Sequence, residues 1–326
     1  MRAIVFDAPG GTDVLRLEER PTPEPSEGQV RIRVHGSGLN RADLLQRRGH
    51  YPPPKGSPTD ILGLEYAGVI DAVGTETSFR VGDSVMGIVG GGAYAEQVIV
   101  GADEVMRAPT GLSLRHAAAI PEAFMTAYDG LFNEGALKTG ETVLIHAVGS
   151  GVGTAAVQLA KQAGARVIGT SRNADKLVKA SPLGLTGGVV TESDWPDAVK
   201  KLAPEGIDVV IDLVGGKLVS STLGLLRDRG RHVLIGLTGG TTVDLDLGRL
   251  LSKRIILRGT VLRTRPLAEK VRLARAVEEH LVPSFEAGTL KPVVDSFIAP
   301  AGIREAHQRL ERNDTFGKIV IDWTKT

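Results

Sequence analysis

The 326-residue chain is expected to be an α/β protein, a doubly wound parallel sheet joined to a β-rich, barrel-like unit. Three observations predict this. The apolar run Val143-Leu144-Ile145-His146-Ala147 leads straight into Val148-Gly149-Ser150-Gly151-Val152-Gly153, and Thr154 to Ala160 then propagates as helix. From Glu141 onward, short β-branched runs alternate with amphipathic segments, the texture of repeated strand–helix–strand units. Up to about Pro109 the texture is different: short period-two runs such as Val30-Arg31-Ile32-Arg33-Val34 are broken by recurrent Gly and Pro.

Taken in order, the Pro52 to Pro58 segment is expected to be a surface loop, because proline lacks the amide donor that a helix interior or central strand needs. The parallel sheet should use Thr142–Ala147, Arg166–Thr170, Gly188–Thr191, Asp208–Leu213 and His232–Gly236, with helices starting near Gly151, Asn173, Asp194, Lys217 and Thr241. Arg254 to Leu262 reads as a sixth, edge strand, and Pro266 to Glu286 as one long helix or two short ones. Val293–Ile298 and Lys318–Trp323 are strand-like again, so the chain is expected to leave the β-rich domain, build the α/β domain and return. The expected boundaries are 1–123 with 265–326 for the first and 124–264 for the second.

A chain with 42% hydrophobic and 24% charged residues can bury a substantial core at this length. Lys and Arg number 39 against 38 for Asp and Glu, so no overall field recruits nucleic acid or an anionic membrane, and a small-molecule partner is expected. There is no cysteine, which excludes disulfides, thiolate nucleophiles, iron–sulfur clusters and sulfur-ligated zinc. Asp7 precedes any hydrophobic stretch of signal length, so the cytoplasm is the expected compartment. Thr142 to Ala160 lacks Asp, Glu, Lys and Arg, but its central glycines suit a buried core and not a membrane span.

A strand, a glycine-rich turn and a helix in that order make a phosphate site. Glycines let the backbone approach a pyrophosphate, and the helix N-terminus offers free amides and a favourable dipole. The third glycine, Gly153, comes one residue earlier than the usual dinucleotide spacing. Where NAD enzymes carry an acid at the end of the second strand, this chain has Thr170-Ser171-Arg172, with Lys176 one turn further. Two hydroxyls and two cations suit a 2′-phosphate, so NADPH is expected over NADH; the alternative is an ordinary solvated helix start.

Other motifs fail. Val148 replaces the upstream glycine that a serine nucleophile elbow at Ser150 needs. Gly216-Lys217 has Ile211 and Leu218 where a P-loop needs glycine and a hydroxyl. The histidines at 35, 50, 116, 146, 232, 280 and 307 show no metal-binding spacing. His146 is expected either to contact the cofactor or to satisfy local backbone.

Leu39-Asn40-Arg41-Ala42-Asp43-Leu44, Ile61-Leu62-Gly63-Leu64-Glu65, Ala119-Ile120-Pro121-Glu122-Ala123 and His146 to Leu159 carry a resemblance that spans almost the whole chain. The sequence resembles the zinc-free quinone oxidoreductases of the medium-chain dehydrogenase/reductase superfamily, and within them the tumour-suppressor-inducible branch. Zinc-dependent members place a cysteine within the segment corresponding to Gly36–Asn40 and a histidine where this chain has Leu64, and they carry a four-cysteine lobe; none of these ligands is present. The resemblance implies a GroES-like β-barrel domain joined to a Rossmann domain, with nicotinamide between them. It further implies Asn40 and Tyr51 at the nicotinamide end and Thr126 at the carboxamide. Gly149, Ser150, Gly151, Val152 and Gly153 would hold the pyrophosphate, and Ser171, Arg172 and Lys176 the 2′-phosphate. Gly215, Gly236, Leu262 and Arg265 would line the remaining wall, closed by Gly317 and Lys318.

Each residue has a local alternative: Asn40 or Thr126 as a helix cap, Tyr51 as a packed loop aromatic. Val190 stands where relatives often place a tyrosine near the adenosine phosphate. The implied reaction moves hydride from NADPH to a quinone without zinc. Reduction of an α,β-unsaturated carbonyl and a non-catalytic NADPH-binding regulatory role are the alternatives. An exposed edge at Arg254–Leu262 would pair two copies into a homodimer.

Overall fold

The computed structural model describes residues 1–191 and 194–325; Glu192, Ser193 and Thr326, the last of these ending the expected C-terminal segment, lie outside that description. The chain first forms strands β1 (Arg2–Val5), β2 (Arg16–Glu19) and β3 (Gln29–Gly38), then helix α1 (Arg41–Arg47). Strands β4 (Glu65–Val73), β5 (Ser84–Ile88), β6 (Gln97–Gly101) and β7 (Met106–Arg107) follow, then helices α2 (Leu114–Ala117) and α3 (Pro121–Tyr128). Next come β8 (Thr142–Ile145), α4 (Gly151–Gln162), β9 (Arg166–Ser171), α5 (Ala174–Gly184), β10 (Gly187–Val190) and α6 (Trp195–Leu202). They are succeeded by β11 (Ile207–Asp212), α7 (Lys217–Leu223), β12 (Leu226–Leu234), α8 (Leu247–Ser252) and β13 (Ile256–Gly259). The chain ends with α9 (Leu267–Glu286), β14 (Val294–Ile298), α10 (Ile303–Arg312) and β15 (Lys318–Asp322).

These elements form two compact units, one of Met1–Met125 with the chain from Leu262 onward, the other of Thr126–Val261. In the first unit, β14-β15-β3-β4-β5-β7 form one sheet path and β6 pairs with β3. All its pairings are antiparallel except β14 with β15. Ile4, Val30, Ile32, Leu62, Tyr66, Ile70, Val85, Tyr94, Ile321 and Trp323 pack its core. Period-two burial along β3 is what the alternating Val30 to Val34 run requires.

The second unit is a six-stranded parallel sheet in the order β10-β9-β8-β11-β12-β13. Its central strand β11 is buried along its whole length, as expected where helices cover both faces of a parallel sheet. Leu144, Ile168, Val189, Trp195, Val199 and Val210 belong to one core cluster.

Two sequence expectations are corrected. No helix starts near Thr241: the segment stays irregular until α8, whose N-cap Asp246 accepts a bond from the Arg249 amide at 3.0 Å. The strand expected at His232–Gly236 begins six residues earlier, at Leu226. Charged, exposed Arg227, Asp228 and Arg229 disguise it, and Arg229 takes a left-handed φ of 59° beside a register shift against β11. Pro266 to Glu286 is one helix, continuous through Pro283.

Candidate functional site

In the second unit, α4 opens directly after β8, and its geometry follows from small residues. The Ser150 hydroxyl caps the helix by accepting the Gly153 amide at 3.0 Å. The amides of Gly151 and Val152, in the first turn, have no preceding turn to bond and remain available to an anion. A side chain on Gly153 would lie 2.4 Å from the Ala147 carbonyl oxygen, so this glycine sets how closely the helix approaches its strand. A side chain on Gly149 would strike the Lys176 stem at 2.7 Å, so the structure brings Lys176 against the turn.

At the end of β9, Ser171 is buried and its hydroxyl accepts the Asn173 amide at 3.1 Å, while Arg172 is exposed and forms no ion pair among the described residues. Val190 pairs with Ser171 across β10 and β9, which places it beside the same strand end. Gly215 has a left-handed φ of 70°, and a side chain there would lie 2.8 Å from the Gly236 carbonyl oxygen; these two glycines are therefore neighbours. Asp212 holds that loop: one carboxylate oxygen accepts the amides of Val214 and Gly215, and the other accepts His232 Nε2 at 3.0 Å. Burial opposes this charge, yet the His232 bond and the neighbouring His146 and amides hold the carboxyl below its ordinary range.

His146 takes the structural role. Both ring nitrogens are bonded to buried threonine hydroxyls, Thr170 at 2.8 Å and Thr222 at 2.9 Å, and burial lowers its pKa to about 4. Thr126 is not a helix cap. It lies within α3 and is buried, and its hydroxyl oxygen has no hydrogen-bond partner among the described residues.

In the first unit, Asn40 is the N-cap of α1, where its amide donates to Asp43 Oδ2 at 2.7 Å. Its side chain does more than cap: Nδ2 donates to Glu65 Oε1 at 2.9 Å and Oδ1 accepts Lys318 Nζ at 2.6 Å. Lys318 spends its three donors on Leu39 O, Asn40 Oδ1 and the wholly buried Glu65, so it acts on its surroundings through Asn40 and Glu65. Gly317, just before it, has a φ of 88°, and a side chain there would meet the Val293 carbonyl oxygen at 2.2 Å.

Tyr51 is half-buried and lies beneath Arg263, whose guanidinium sits 4.9 Å from the ring centroid and bonds the Tyr51 carbonyl. Burial raises the Tyr51 hydroxyl pKa, with Arg263 opposing and Glu122 adding to the rise. Leu262 and Arg265 are joined by a backbone bond of 3.1 Å, and Arg265 lies 3.9 Å from Glu269.

No role is legible in the sequence for Asp43, Gln46, Tyr94, Glu122 or Arg263, yet all five belong to this polar cluster. The available signal was a charge inside an apolar run, as at Ala42-Asp43-Leu44 and Leu262-Arg263. What those charges meet lies far along the chain. Among the described residues no group of three or more His, Cys, Asp or Glu is arranged to hold a metal ion, and no helix is long and apolar enough to cross a membrane.

Residues 151–278 match the zinc-binding dehydrogenase family model, and residues 26–110 match that of the alcohol dehydrogenase GroES-like domain. Human quinone oxidoreductase is 31% identical over an alignment covering 98% of this chain and 97% of that protein. The chain belongs to the quinone oxidoreductase-like branch of the medium-chain dehydrogenase/reductase superfamily. Its fold is accordingly a Rossmann sheet with a GroES-like domain. The chain is also similar to the human synaptic vesicle membrane protein VAT-1 homolog-like, 32% identical over an alignment covering 100% of this chain and 82% of that protein. The crystal structure of that protein matches with a TM-score of 0.87, covering 100% of this chain and 99% of the solved one. A mycobacterial structure described as complexed with NADPH is 29% identical, with a TM-score of 0.85 and coverage of 98% and 99%. As a member of this superfamily, the protein is an oxidoreductase of a small-molecule substrate that uses a nicotinamide cofactor.

Proposed function

We propose that the protein is a zinc-independent NADPH:quinone oxidoreductase. The observation that carries the cofactor choice is the end of β9, which offers no acid but a buried serine, an exposed arginine, and a lysine whose stem lies across the glycine turn. The residues fit the cofactor: the Gly151 and Val152 amides with Gly149, Ser150 and Gly153 take the pyrophosphate, and Ser171, Arg172 and Lys176 take the 2′-phosphate. Gly215 and Gly236 keep their wall free of side chains, and the Thr126 hydroxyl, which has no partner among the described residues, takes the carboxamide. Asn40 and Tyr51 serve the nicotinamide end, with Lys318 holding Asn40; Leu262, Arg265 and Gly317 complete the wall. The unit of residues 1–123 and 265–326 is the catalytic domain and 124–264 the cofactor domain.

Bound NADPH supplies hydride at nicotinamide C4. The chain orients the acceptor, and Tyr51 supplies a hydrogen-bond donor to its oxygen. Zinc does not fit: the sequence has no cysteine, Leu64 stands in the place of a ligand, and the Glu65 carboxylate is already paired with Lys318. An electron-poor quinone needs no metal to accept hydride. An enone makes the same demand on these residues, and turnover of a panel of quinones and enones with NADPH separates the two. The expected result is quinone reduction; brisk enone turnover with none of quinone rejects the assignment, and tight NADPH binding with no acceptor reduced indicates a regulatory role. On this reading the protein acts in the cytoplasm as a homodimer, a proposal supported by the exposed edge strand β13.

A further inference from the structure

Three carboxyls and two cations crowd the polar cluster of the first unit, and they are unequally served. Asp43 accepts the Asn40 and Gly63 amides and the Tyr94 hydroxyl. Glu65 accepts the Asn40 side chain, Lys318 and the backbone amide of Glu122. The Glu122 carboxyl accepts no hydrogen bond among the described residues. Among the described residues Lys318 and Arg263 are the cations that act on Glu122, so ionising all three acids leaves an excess negative charge away from water, and one acid keeps its proton. The least-served carboxyl is the one that does. Glu122 is also the only one of the three with solvent exposure, since Asp43 and Glu65 are fully buried.

We propose that Glu122 is the proton source of the reaction: it holds a proton at neutral pH, gives it to the acceptor oxygen left anionic by hydride transfer, and recovers one from solvent. This rests on the NADPH-dependent reductase reading above. Hydride brings two electrons and one proton to the acceptor. The second proton leaves the Glu122 O–H bond and forms the O–H bond of the reduced product, and the carboxylate is recharged from water, with no further oxidant or reductant. Around Glu122 stand Glu65 from β4, Lys318 from β15, Asp43 from α1, Arg263 from the segment after β13 and Tyr51 from its loop. Burial first and Glu65 next push the Glu122 carboxyl up to about 7; Asp43 adds to the rise, while Lys318 and Arg263 oppose it.

Glu122→Gln tests this, because its bond to Glu65 runs through the backbone and survives the change. In infrared spectra, wild type minus Glu122→Gln should show a protonated carboxyl band that disappears with a midpoint near pH 7. The wild-type kcat should fall about tenfold per pH unit above that midpoint, the Gln variant should be slow and insensitive to pH there, and Glu122→Asp should restore the dependence. Absence of the band, or a Gln variant with the wild-type kcat and pH profile, overturns the proposal. A wild type that reduces neither quinone nor enone rejects the functional reading instead, and the infrared titration still decides whether Glu122 holds the proton.

Discussion

Arg172 is a single exposed guanidinium that forms no ion pair among the described residues, so its removal costs the fold little and isolates its effect on the cofactor. Arg172→Ala should raise the NADPH Michaelis constant about tenfold, the worth of one charge-assisted contact, and leave the weaker use of NADH unchanged. Equal changes with both cofactors, or none, would reject the 2′-phosphate assignment. His146 tests stability. Its folded pKa of about 4 lies below the ordinary 6.5, so the unfolded chain binds its proton more tightly. The stabilisation from the neutral ring is fully present above 6.5 and is lost as pH falls from there toward 4. His146→Gln should therefore reduce the loss of unfolding free energy between pH 7 and 5 by ~2 kcal/mol, measured by urea denaturation. The raised carboxyls of Asp43 and Glu122 slope the opposite way, losing stability as pH rises toward about 6 and about 7, so the comparison must be between variants and not of absolute values. The residues of this cluster were the least legible in the sequence. Arg263 looks like a surface charge until Gly90, Tyr51 and Gln46, more than 170 positions away, enclose it.

Elements were easier to read, because strands and helices announce themselves by period and by caps. Ser150 and Asn173 mark the starts of α4 and α5, and both side chains accept the capping bond. No helix starts near Thr241 because the capping side chain lies further on: Asp246 accepts the Arg249 amide and opens the helix at Leu247. Strand β13 ends the parallel sheet, and all four of its residues are exposed, Ile256 and Leu257 among them. An uncovered apolar edge favours addition of a second copy. Light scattering at micromolar concentration should give the mass of a dimer, and Leu257→Lys should shift it toward monomer. A wild-type monomer at that concentration would remove the dimer from consideration.

At the scale of the whole molecule, the return of the chain to its first unit was legible because Val293–Ile298 and Lys318–Trp323 recover strand texture after a long helix. Where the last strand inserts was not, since register across three hundred residues is set by packing and not by any local pattern. Strand β15 lies between β14 and β3 in the sheet path, so the first unit's sheet has a gap until residues near the C-terminus are in place. The second unit needs only residues it already holds. Synthesis from the N-terminus therefore completes the two units in the reverse of their order of appearance: the inserted unit can fold on the ribosome while the opening strands wait for a partner made after it. A nascent chain arrested before β15 emerges should yield a protease-resistant fragment from the second unit and none from the first. During that interval the exposed edge of β3 is a place where a chaperone, or a neighbouring unfinished chain, competes with the chain's own β15.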